Sequence, residues 1–168
     1  MKRRNFLQGA AMSVPLLGSG TIRADKLQTG RKLALGYDNF AVRAMKWKVP
    51  ELIGYAAKLK CDTLFITDFG PFEKMDDAYL KDLRRQGEDA GVKILLGSWS
   101  ICPTSVKFRD TWGTADEHLQ LGIRAAKALG SPAFRVILGA RDDRKTEGGI
   151  EARIADTVKV LKRNRTRC

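Results

Sequence analysis

Between Leu33 and Leu161 the chain repeats one pattern: a short apolar run, then a longer segment with apolar residues at helical spacing. Leu33-Ala34-Leu35-Gly36-Tyr37 predicts a first strand, ending at the polar pair Asp38-Asn39. Pro50 suits a first helical position, and the helix it opens sets Leu52, Ile53, Ala56 and Leu59 on one face. A second strand, Thr63 to Thr67, ends at Asp68, and Gly70-Pro71 breaks the chain. Asp76-Asp77 favour a helix start, Tyr79, Leu80, Leu83, Gly87 and Ala90 form its inner stripe, and Gly91 suits its exit. The third strand, Val92 to Leu96, leads through Gly97-Ser98 into a long loop from Trp99 to Gly113. Thr114 and Glu117 then make a capping box for a helix with Leu119, Gly122, Ile123, Ala126 and Leu129 inside. Gly130 and Pro132 stop it. The fourth strand, Ala133 to Leu138, ends at Gly139. After a charged loop, Ile150, Ile154, Val158 and Leu161 predict the buried face of a fourth helix.

The spacing of the strands suits βαβ units, and their continuous apolar character suits a parallel sheet covered on both faces. The expected fold is α/β: a parallel (β/α)4 half of a TIM barrel, open rather than closed. Periodicity alone does not separate it from a doubly wound sheet. The 168 residues can bury one domain core, whereas a complete (β/α)8 barrel takes about 250.

Residues 1–24 read as an export signal and 25–31 as a linker. Lys2-Arg3-Arg4 precedes a short apolar stretch, and Arg3-Arg4-Asn5-Phe6-Leu7-Gln8 resembles the twin-arginine signal, with cleavage expected after Ala24. The expectation is an exported, extracytoplasmic protein without stable membrane association once the signal is removed. The formal charge of +12 at first suggests a nucleic-acid partner. However, four of the cations lie in the leader and four in the last seven residues, so the middle carries only roughly +4 and no nucleic-acid partner is expected. Cys61, Cys102 and Cys168 form no CxxC pair and no disulfide framework.

In any parallel α/β sheet, ligands bind at the carboxyl ends of the strands. That singles out Asp38, Asn39, Asp68, Ser98 and Trp99 as substrate-binding candidates. The carboxylates and amide can bond hydroxyls, and the indole offers a sugar ring an apolar platform. Turn chemistry also explains Asp and Asn at such positions. His118, just after its helix cap, reads as a surface residue, and Arg135, within a strand, as one partner of an ion pair. No phosphate loop, dinucleotide fingerprint, zinc motif or nucleophile elbow is present, so no catalytic residue and no metal ligand is assigned.

Several stretches carry a resemblance to a known family: Leu33-Ala34-Leu35-Gly36-Tyr37-Asp38-Asn39, Tyr55-Ala56-Ala57-Lys58-Leu59 ahead of Cys61-Asp62-Thr63-Leu64, Ser100-Ile101-Cys102-Pro103-Thr104, Trp112-Gly113-Thr114-Ala115, and Ala126-Lys127-Ala128-Leu129-Gly130-Ser131-Pro132. Over residues 32–163 the chain resembles the N-terminal half of the xylose isomerase-like TIM barrels. This superfamily includes sugar phosphate isomerases/epimerases and family 2 AP endonucleases, and exported twin-arginine members are the most similar. The resemblance implies a sugar as substrate, a divalent metal as the intact family's cofactor, and a metal-assisted proton or hydride shift. The family's metal ligands come from later strands, so the resemblance implies an inactive fragment that binds no metal tightly. Lys162 onwards departs from the family. Residues 164–168 read as a basic tail of the kind a frameshift or premature stop produces. Two alternatives stand beside this reading. One is a carbohydrate-binding half barrel that forms a homodimer through open sheet edges; the other is a fragment of an AP endonuclease-like repair enzyme.

Overall fold

The computed structural model describes residues 33–167. The proposed leader, the linker and Cys168 lie outside those residues. Four strands alternate with four helices: β1 (Gly36–Asp38), α1 (Val49–Lys58), β2 (Thr63–Ile66), α2 (Asp77–Asp89), β3 (Lys93–Ser98), α3 (Ala115–Leu129), β4 (Phe134–Val136) and α4 (Gly149–Asn164). All strands are parallel, in the order β1-β2-β3-β4, and the sheet is open. The chain is therefore an α/β protein built as a (β/α)4 unit.

Local chemistry explains most element ends. Asp76 caps α2 by accepting the Tyr79 N–H, and Thr114 and Glu117 form the reciprocal capping box of α3. Gly130 closes α3 in the left-handed conformation, φ 68°, where a Cβ would be strained. β1 begins later than the apolar run suggests. Leu35 is instead tied to the turn before β2: its N–H donates to Asp62 Oδ2, and its carbonyl accepts from the N–H groups of Asp62 and Thr63. β4 is also shorter than its apolar run.

The two faces of the sheet differ. Leu64, Ile66, Ile94 and Leu96 are buried and pack against Leu52, Ile53 and Ala56 of α1, Leu80 and Leu83 of α2, and Ala125 and Leu129 of α3. Their in-strand neighbours Phe65 and Leu95 point the other way and are only half-buried. The main helices thus cover one face, and among the described residues none covers the other. This corrects the expectation of a sheet covered on both faces. It also resolves the choice between architectures, since helices on one side of a parallel sheet are the arrangement of half a barrel. Gly122 of α3 makes the close packing possible, because a Cβ there would run into the Phe134 ring of β4.

α4 turns inward a face about a quarter-turn away from the one its apolar series predicts. Ile154, Val158 and Leu161 are exposed, whereas Arg153, Thr157, Val160 and Asn164 are buried. α4 packs chiefly on α3, where polar contacts hold it. Asn164 donates to Asp116 Oδ1 at 2.6 Å and accepts from Gln120 at 3.0 Å, and Arg163 forks onto Asp116. The basic tail read from residue 164 onward therefore begins inside the helix with a buried residue. No helix among the described residues is long and apolar enough to cross a membrane.

Candidate functional site at the strand carboxyl ends

A cleft of about 280 Å³ opens at the carboxyl ends of the strands, lined by Asp38, Phe40, Thr67, Asp68, Ser98, Trp99, Arg135 and Ile137. Four of the five residues singled out from sequence meet there. Asp38 ends β1 and is exposed; its Oδ1 accepts the Ala41 N–H and caps a short 3₁₀ turn. Asp68 follows β2 and is half-buried, with Oδ1 accepting the Gly70 N–H at 2.7 Å. Trp99 follows β3 and is half-buried, with one face of its indole covered by the Arg109 guanidinium at 4.1 Å.

Asn39 lies apart from the cleft lining. It is buried, and its Oδ1 accepts from both the N–H and the hydroxyl of Thr67. Its role is to tie the end of β1 to the end of β2. Tyr37 ties β1 to α1 instead, donating its hydroxyl to the Leu52 carbonyl; burial, then the neighbouring Cys61 and Tyr55, push its phenol up to about 12.

Ser98 belongs to the helix-facing row of β3 and is 1 % exposed. Its Oγ lies 2.7 Å from Nε2 of His118 on α3. His118 is fully buried, with Phe69 edge-on to its ring, which corrects its reading as a surface residue. Burial holds the imidazole below its usual pKa, so the neutral form occupies the core. Nδ1 has no partner among the described residues. Ser98 and His118 have the chemistry of a nucleophile and base, but both are sealed beneath the sheet end, and we assign them a structural role.

Arg135 of β4 points to the helix-free face, its guanidinium 4.9 Å above the Phe65 ring, and donates to the Ser98 carbonyl at 3.2 Å. No described carboxylate pairs with it, contrary to the ion pair expected from sequence. No protein-family model, curated protein or solved structure matches this chain.

The loops above the cleft are fixed by one buried carboxylate. Asp143 accepts the N–H groups of Ala140 and Val106 and the Ser105 hydroxyl, which hold its carboxyl below the usual range. Buried Arg153 adds bonds to the Thr104 carbonyl, the Thr146 hydroxyl and the Glu147 carbonyl. Together they staple the β3–α3 loop to the β4–α4 loop. Sequence reading missed both residues because their signal is spatial: they lie in a charged loop and on the polar side of a helix.

The described residues do not fit a divalent-metal centre. The cleft offers two carboxylates, each already accepting a backbone N–H, and no three His, Cys, Asp or Glu side chains among the described residues gather as ligands. A larger groove of about 750 Å³ runs between α2 and α3, lined by Leu121, Ile123 and several charged side chains. It lies in the helix layer and includes none of the strand-end residues.

Proposed function

We propose that the strand-end cleft binds a small polyhydroxylated ligand of the sugar class, and that the chain carries the first-half rim of a sugar isomerase/epimerase-like barrel. The observation that carries this reading is the convergence of Asp38, Asp68 and Trp99, with Phe40, on one cleft. Carboxylates accept hydroxyl hydrogen bonds, and aromatic faces take the apolar side of a sugar ring. The cleft is small enough for one monosaccharide. Binding is the function proposed for these residues. The carbonyl-polarising metal of the family's chemistry has no ligand set among them, so no proton or hydride transfer is assigned.

The test is calorimetric titration of the full chain with a panel of hexoses, pentoses and their alditols. At least one should bind with a millimolar or tighter Kd, and Asp38→Asn with Asp68→Asn should weaken it at least about tenfold. No binding across the panel would refute the reading.

The edges of β1 and β4, which no other described strand covers, together with the exposed apolar residues on α4, favour a second reading: two copies joined through their sheet edges around a shared ligand. Light scattering that gives twice the mass of the chain at micromolar concentration would support it, and a monomer would refute it.

A further inference from the structure

The cleft contains one cation and two anions, and the cation is the group with most bonding capacity left over. A guanidinium has five N–H donors. Among the described residues that of Arg135 has one acceptor, the Ser98 carbonyl. Its position is built by three neighbours. Gly97, opposite Arg135 in the sheet register, leaves room for the Phe65 ring, which a Cβ would approach to 3.0 Å. The ring in turn supports the guanidinium from below. The Ser98 carbonyl belongs to a residue whose own side chain is bonded to His118. A half-buried guanidinium held in this way without a carboxylate is suited to receive one from outside.

Charge decides which anion fits. Asp38 and Asp68 line the same cleft. A phosphate dianion would bring two charges beside those carboxylates with only one lining cation to offset them. A carboxylate brings one charge and matches the guanidinium fork in number and geometry. Arg43 and Arg109 stack on Phe40 and Trp99 but do not line the cleft.

We propose that Arg135 selects a carboxylate-bearing polyol, a sugar acid, with the acid on the guanidinium and the hydroxyls toward Asp38 and Asp68. This rests on the sugar-class reading of the cleft and specifies its substrate class.

The experiment is titration of the full chain at low salt with gluconate, its neutral counterpart glucitol, and glucose-6-phosphate. Gluconate should bind at least about tenfold tighter than glucitol and tighter than the phosphate. Arg135→Gln should erase the advantage of gluconate over glucitol, while Arg135→Lys should keep part of it. Should Arg135→Gln fail to fold, the wild-type comparison and the lysine variant still decide. Equal binding of gluconate and glucitol overturns the inference and leaves the sugar-class reading standing, as does tighter binding of the phosphate. Failure of all three probes to bind overturns both.

Discussion

Ser98 and His118, twenty residues apart in the chain, meet at 2.7 Å beneath the floor of the cleft. The bond joins the carboxyl end of β3 to the first turn of α3, on opposite sides of a long loop. Both residues are buried, so each depends on the other for its polar partner. Ser98→Ala leaves His118 Nε2 buried and unpaired, and chemical denaturation should show a loss of about 1–3 kcal/mol. A loss below about 0.5 kcal/mol would mean that water takes the place of the hydroxyl.

The same histidine gives stability a defined pH dependence. Its folded pKa lies below the usual 6.5 because burial disfavours the charged ring. As pH falls through 6.5 the unfolded chain takes up the proton first. The contribution of His118 is therefore complete above 6.5 and lost progressively below it, at up to about 1.4 kcal/mol per pH unit, until the folded pKa is reached. Urea midpoints between about pH 7.5 and 5.5 should fall in the wild type and flatten in His118→Gln.

Gly122→Ala should destabilise the fold by about 1–3 kcal/mol, because the new methyl must displace the Phe134 ring. Gly54, also within a helix, has open space around it, so Gly54→Ala should be neutral or stabilising by up to about 1 kcal/mol. Thermal melts of the two variants should move in opposite directions or differ by that amount.

On α4 the prediction reverses what the apolar series implies. Val158→Lys, on the exposed face of a monomer, should change stability by no more than about 0.5 kcal/mol. Asn164→Ala, on the buried polar face, should cost about 1–3 kcal/mol. Denaturation curves of both variants check the assignment of faces.

Asp143→Ala should free the rim while leaving the helix layer folded. Its carboxylate holds the 105–106 and 139–143 segments together. Hydrogen exchange should accelerate in both loops and not in α2, and the same variant should weaken any ligand bound in the cleft.

Much of this architecture can be read in the sequence because its causes are local. The capping box of Thr114 and Glu117, the helix start at Asp76-Asp77 and the glycine exit at Gly130 act within one turn of chain and appear where expected. The strand-end rule places Asp38, Asp68, Ser98 and Trp99 at one cleft because parallel strands share a direction. What stayed hidden depends on distant partners. Nothing near His118 announces that Ser98 will close over it. The inward face of α4 is set by loop carbonyls that bind Arg153, by Asp116, which binds Asn164, and by Val160 packing on Ile101, Ala115 and Leu119, and the apolar series lies on the neighbouring face. Arg135 looked like half of an ion pair because a charge within a strand usually finds one; Gly97 and Phe65 seat it instead.

The central claim is that a sugar-class ligand binds at the strand-end cleft. Amide chemical shifts of the full chain, recorded while an alditol or its acid is titrated in, test this residue by residue. The predicted result is saturable shifts at residues 38–40, 67–70, 97–100 and 135–137, lost in Asp38→Asn and Asp68→Asn. Shifts confined to the groove between α2 and α3, or none at millimolar ligand, would contradict it.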